Sequence, residues 1–212
     1  MTRYHPSRWA SIAPIGALAG ALLAAACSTA PTRYYSLAEA TQPARPVAAA
    51  PLFIELAPVA MPERFARPEM VVRAKDSAGG AQVSILEERL WASSFESELH
   101  DALASGIANR LGAVDISRAG RAQGRPAVRV AVQLLQFDAV VDSRVDAAFS
   151  WTLRRTDEGP VAACQLSLSE PVATGVDALA QGARHLTSRL ADAIAASVSA
   201  QQAGKQPVCA AG

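Results

Sequence analysis

The sequence lacks the signatures around which most enzymes are built. There is no G-x-S-x-G elbow, no H-E-x-x-H pair and no C-x-x-C couple. The glycines at 120 and 124 have neither the lysine nor the helix start that a phosphate-cradling loop needs. A surplus of charge is missing too: 20 basic residues stand against 19 acidic ones, a formal net charge of +1. A nucleic-acid binder would show a basic excess gathered on one face, so that class is set aside. No segment repeats at a fixed period, and Gly and Pro, 13 each, are at ordinary levels, which excludes solenoid, collagen-like and wholly disordered readings. With 212 residues, half of them hydrophobic, the chain suits one globular domain with a real core.

What is present is concentrated first at the N-terminus. Arg3, His5 and Arg8 precede an uncharged apolar run from Ile12 to Ala26. That order is the pattern of a secretory signal. The run falls short of the roughly 18–20 residues a spanning helix needs, and Pro14 interrupts it. It ends in Ala24-Ala25-Ala26-Cys27, small residues set before a cysteine, which resembles a bacterial lipobox. Leu23 sits one place earlier than the usual leucine of that pattern. The reading divides residues 1–26 as a lipoprotein signal peptide from Cys27 as the lipidated (palmitate-bearing) first residue. An ordinary A-x-A cleavage, leaving Cys27 as a spare thiol, is the alternative. Several acyl chains on one cysteine, each buried CH₂ worth about 0.8 kcal/mol, anchor a protein firmly. Ser28 in place of aspartate favours the outer membrane by the enterobacterial sorting rule. Loss of 1–26 removes two arginines and no acid, so the formal charge falls to −1.

Residues 27–50 read as lipid attachment and tether, rich in Ala, Pro and Thr. Fully extended, such a segment reaches on the order of 70 Å at about 3.3–3.6 Å per residue. Tyr34-Tyr35-Ser36-Leu37 is the exception. It predicts a short strand that pins part of the tether to the domain, with Tyr34 and Tyr35 serving either as core or as an interface. The domain proper is drawn at 51–203 and a C-terminal tail at 204–212.

Inside that domain, strands are predicted at Leu52–Met61, Met70–Arg73 and Val83–Leu86 from short apolar runs bounded by turn residues. A helix is predicted over Ser93–Leu111, opened by a Ser93/Glu96 capping box and stopped by Gly112. Leu99, Leu103 and Ile107 give it one apolar face. After the short strand "AVDIS", alternation predicts a long strand from Ala127 whose phase slips at Leu134-Leu135, where a bulge is expected. A second strand follows with Val145, Ala147, Phe149, Trp151 and Leu153 inward, then a turn at "TDEGP" and a return strand with Cys164, Leu166 and Leu168 inward. A long helix closes the domain, with Thr174 and Asp177 as a second capping pair and a stripe from Leu179 to Val198. Both helices are expected to pack on one mixed, largely antiparallel sheet, an α/β fold.

Chemically reactive candidates are few. His100, beside Asp101, and His185 lie on predicted helices among polar neighbours and read as solvated surface residues with no catalytic or metal role. Cys164 and Cys209, 45 residues apart, are open to two readings. In an oxidising compartment they form a disulfide that pins the tail to the sheet; otherwise Cys164 is a buried apolar residue and Cys209 a free thiol.

Taken in order, the lipobox, "RYYSL", "IELAPVAMPERFARPEMVVR", "ERLWASSFESELHDALASGIANRLG", "VRVAVQLLQFDAVVDSRVDAAFSWTL" and "LSEPVATGVDALAQGARHLTSRLADAIA" resemble the ABC-type transport auxiliary lipoprotein family, the PqiC group. The resemblance covers essentially the whole mature chain and rests on order and spacing. It implies an anticodon-binding-like or TolB N-terminal-like domain with no catalytic residues and no cofactor beyond the lipid on Cys27. It implies an outer-membrane lipoprotein on the periplasmic face, an accessory to a lipid transporter of the MCE type, ABC-linked or PqiAB-like, that serves membrane integrity. The implied partners are an MCE-domain protein, its inner-membrane permease or ABC complex, and further copies of the chain in a ring. A scaffold that activates a cell-wall enzyme or pilots a secretion pore is the alternative that the residues leave open.

Overall fold

The computed structural model describes residues 31–39, 51–77, 80–118, 126–155, 161–206 and 209. Cys27, the signal segment, residues 40–50 and the "TDEGP" turn lie outside the described residues. One compact unit starts at Thr32; of the other, Met1–Pro31, only Pro31 is described.

The compact unit holds two sheets. In the larger, β2 (Phe53–Leu56) runs parallel to β5 (Val114–Asp115) and to β6 (Ala127–Val140). β6, β7 (Arg144–Arg155) and β8 (Ala162–Pro171) form an antiparallel meander, giving the order β5-β2-β6-β7-β8. Alternation places Val128, Val130, Val132 and Leu134 of β6 inward, facing the helices with Val145, Phe149, Trp151, Leu153, Leu166 and Leu168. The bulge falls where the phase of the sequence slips. Leu134 pairs with Phe149 and Gln136 with Ala148, so Leu135 is left over and Phe137 takes the inward register.

The first helix, α1 (Phe95–Leu111), buries Leu99, Leu103 and Ile107 as the 3.6-residue period requires. Gly112 ends it in the left-handed conformation. Its cap, however, is Ser94, whose hydroxyl accepts from the Ser97 amide at 3.2 Å. Ser93 instead donates to Glu98 Oε1 at 3.1 Å. The second helix, α2 (Val176–Gln202), buries Leu179, Ala183, Leu186, Leu190, Ile194 and Val198. The expected Thr174 cap is not made. Gly175 precedes the helix, and its amide donates to Asp142 in the β6–β7 turn at 2.7 Å. Asp177 is drawn away to the N-terminal strand.

The second sheet corrects the expectation of one. Its order is β1-β4-β3, with β1 (Arg33–Tyr35) parallel to β4 (Ser84–Trp91) and β3 (Glu69–Val72) antiparallel to β4. β3 meets β6 only beyond the β6 bulge, at an Arg73–Val140 bridge supported by an Arg73–Asp138 ion pair at 3.0 Å. The two sheets therefore join at a corner. Phe65, Trp91, Phe95 and Phe137 fill that corner, with ring centroids 4.9–6.3 Å apart along the cluster. Residues 33–39 thus belong to the folded unit, and the segment 27–50 is not tether throughout.

Candidate functional site

The most heavily tied surface feature is the segment that follows the proposed anchor. Tyr35 is half-buried against the core, and its carbonyl accepts from the Ala92 amide at 2.7 Å. Its hydroxyl donates to Asp177, in the first turn of α2, and Arg33 Nη1 reaches the other oxygen of that carboxylate at 2.8 Å. Next, Glu98 in the first turn of α1 accepts from the Ser36 hydroxyl at 2.8 Å and the Leu37 amide at 2.9 Å. Leu37 itself is only 1% exposed. Finally Arg110 of α1 binds Glu39 at 3.0 Å and Ser188 of α2 at 2.7 Å, with Asp192 on its Nε. Seven residues of chain are in this way stapled to both helices, and the staples Asp177 and Glu98 also place negative charge at helix N-termini, where the backbone dipoles favour it.

The titrations of these groups follow from their partners. The Tyr35 hydrogen bond holds the Asp177 carboxyl below its ordinary range, and the nearby Arg33 charge acts the same way. Burial and the same hydrogen bond push the Tyr35 phenol up. Ser188 and then Arg110 hold Glu39 down. For Arg110, burial opposes the charge, but hydrogen bonds to Asp192 and Glu39 outweigh it and raise the value.

The two tyrosines separate. Tyr35 is core and staple, whereas Tyr34, on the opposite face of β1, is 68% exposed. Cys164 and Cys209 are joined by a disulfide, Cα–Cα 5.3 Å, fixing the tail to β8. His100 is more enclosed than a solvated helix residue. Its ring contacts Asp101 at 3.0 Å and the Leu56 carbonyl at 3.3 Å, linking α1 to β2. His185 stands on the surface beside Glu170 at 3.2 Å. Among the described residues no three His, Cys, Asp or Glu side chains are placed to share a metal ion. Sequence reasoning missed Glu39, Glu98, Arg110 and Asp177 as a set. The only available signal was acidic residues in the first turns of both helices, which read equally well as caps.

The aromatic corner leaves a cavity of about 20 Å³, about the room of one water, so the cluster is packing and not an acyl-chain pocket. The face of the large sheet turned away from the helices carries Ala148, Ser150, Thr152, Gln165 and Ser167, with the Glu55–Arg129 pair at 3.1 Å and the Arg144–Asp146 pair at 2.7 Å. Its centre is polar and uncharged between those ion pairs, and at one end the Ser169 hydroxyl donates to Asp146 at 2.6 Å.

The sequence model of the ABC-type transport auxiliary lipoprotein component matches residues 35–195, from the stapled strand into the last turns of α2. The chain belongs to that family. It is accordingly a membrane-associated lipoprotein of a transport system, and among the described residues no helix is long and apolar enough to cross a membrane. No curated protein matches the auxiliary lipoprotein. Among solved structures, a crystal structure of an uncharacterized protein aligns at a TM-score of 0.61 and 21% identity, covering 78% of this chain and 97% of that one. Protein XCC0632 from Xanthomonas campestris, of the family DUF330, aligns at 0.58 and 14% identity over 81% and 99%. Both show the fold alone. The PelC dodecamer from Paraburkholderia phytofirmans, at 0.37 and 14% identity over 71% and 92%, is too distant to carry an argument.

Proposed function

We propose that this auxiliary lipoprotein is a non-enzymatic outer-membrane subunit of an MCE-type transporter. It is acylated at Cys27 and docks the periplasm-spanning MCE component to the outer membrane for transport of lipid or another apolar molecule. The observation that carries the reading is the family match over residues 35–195. The stapling supports it, because a docking subunit must hold a fixed position on its membrane. Copies of the chain assemble as a ring in this reading, with the MCE protein and its inner-membrane permease or ABC complex below.

The test is purification of the intact acylated lipoprotein from its native membrane, followed by identification of what comes with it. Recovery of an MCE-domain protein encoded beside it is the expected result. Recovery of a cell-wall enzyme or a secretin in its place would establish the scaffold role instead. Palmitate labelling that is lost in Cys27→Ser checks the anchor separately.

A further inference from the structure

The staples change what the anchor can do, and they single out one face of the domain. With residues 33–39 fixed, the chain between Cys27 and Thr32 spans at most about 17 Å when fully extended. A domain of this size has a radius of gyration of roughly 16 Å, hence a diameter well beyond that reach. Only the end of the domain where the chain enters β1 can therefore lie against the bilayer. Because β1 runs parallel to β4, with Arg33 opposite Arg89 and Tyr35 opposite Trp91, the chain enters from the end at which β4 begins. That end carries Val83 and Ile85, 45% and 47% exposed, and Ile85 pairs with the half-buried Val71, which alternates with the buried Met70 and Val72. Tyr34, beside Leu90, lies beyond the β3–β4 register shift between Glu69 and Met70, and shares the face of Ile85 through Glu69 and Val71, two residues apart on β3 and opposite Leu90 and Ile85. Of the five large apolar side chains exposed among the described residues, Tyr34 and Ile85 lie on the smallest sheet and Val83 just ahead of β4, with Ile85 four residues before Arg89, the partner of Arg33 where the chain enters. Isolated exposed apolar residues need no explanation, but a group of them beside a short lipid tether does.

We infer that the outer face of the β1-β4-β3 sheet, from Val83 and Ile85 to Tyr34, rests on the headgroup layer of the membrane that holds the anchor. The inference rests on acylation at Cys27. The contact is shallow. Glu87 and Glu88 are exposed on the same strand, with Arg33 and Arg89 beside them, and these charges stay in water or among headgroups while the apolar tips enter the boundary region. Tyrosine, with an apolar ring and a polar tip, suits that depth. Since charges of both signs lie there, the contact is insensitive to salt, unlike that of a polybasic surface.

The experiment uses the full acylated chain in vesicles of phosphatidylethanolamine and phosphatidylcholine. An environment-sensitive fluorophore is placed through Ile85→Cys or Val83→Cys, with Ser167→Cys on the open face of the large sheet as control. All three positions are exposed, so the fold is not at risk. Expected are a blue shift and quenching by headgroup-proximal spin-labelled lipid at 83 and 85, unchanged in high salt, and neither at 167. An acylated, vesicle-bound protein whose probes at 83 and 85 stay unquenched would overturn the inference while leaving the anchor intact. A blue shift at 85 without lipid quenching would mean that a second copy covers the face, which also overturns it. Absence of an acyl chain on Cys27 would remove the anchor and the inference together.

Discussion

The five-stranded and three-stranded sheets are held by different means. The larger is secured by apolar burial: β6, β7 and β8 are 10–14 residues long, and their inward side chains meet a helix of 27 residues. The smaller has strands of three, four and eight residues, and the β1 segment is held by polar and charged staples to the two helices together with the burial of Tyr35 and Leu37. Burial is non-directional and grows with area, so long strands generate it readily. A three-residue strand cannot, and directional bonds to fixed partners supply the lack. A large sheet held by burial and a first strand held partly by directional bonds are expected to open separately.

The strongest attempt to break the comparison is Trp151→Ala, at the centre of β7 and 1% exposed. It should cost about 3–5 kcal/mol and be read as a lowered urea midpoint for the whole domain. Trp151→Phe should cost less than the lost volume suggests, because the indole Nε1 is buried with no hydrogen-bond partner among the described residues and its removal relieves that cost. Next comes Cys209→Ser. Opening a cross-link with a sequence separation of 45 should cost about 2–4 kcal/mol, again for the whole domain, since the loop encloses α2. A loss confined to the tail would show that the large sheet does not depend on it.

Arg110→Met tests the other side of the comparison. It removes the bonds to Glu39, Ser188 and Asp192 from positions open in part to water, and about 1–2 kcal/mol is expected. Hydrogen exchange at Leu37 should accelerate while that of Phe149 and Leu166 stays slow; equal acceleration everywhere would merge the two regions into one cooperative unit. The smallest effect concerns pH. Asp177 has a lowered carboxyl value, so its contribution is complete above the ordinary value of 3.8 and is lost as pH falls through the lowered one. Tyr35 has a raised value, so its contribution is complete below 10.0 and is lost as pH rises through the raised one. The melting-temperature difference between the protein and Asp177→Asn should be flat from about pH 5 to 9 and shrink on both sides. A difference that stays constant down to the acid unfolding of the domain and up through the alkaline range would separate Asp177 from the junction.

Much of the large sheet was legible from period alone. The inward residues of β7 and β8, the stripe of α2 and the slip at Leu134-Leu135 are properties of residue order, and a two-residue repeat leaves one assignment for each face. The helix starts were less legible. Ser93 and Ser94 are equivalent in pattern, and the choice went to Ser94 because Ser93 is used by Glu98. Thr174 and Asp177 have capping spacing, but Asp177 has stronger partners 142 and 144 residues away. The small sheet was least legible: short strands were expected around Tyr34–Leu37, Met70–Arg73 and Val83–Leu86, but nothing in their order shows that they pair with one another apart from the large sheet.

By itself, the sequence determined the lipobox-like start, the two amphipathic helices, the meander and the absence of catalytic motifs, all of which depend on neighbours along the chain. The tertiary structure alone decided that the strands divide into two sheets, that Cys164 and Cys209 meet, and that Glu39, Glu98, Arg110 and Asp177 converge on the segment after the anchor. Those outcomes depend on groups brought together by loop closure over tens to more than a hundred residues. No local period records such a meeting, because its energy exists only after the core has placed both partners.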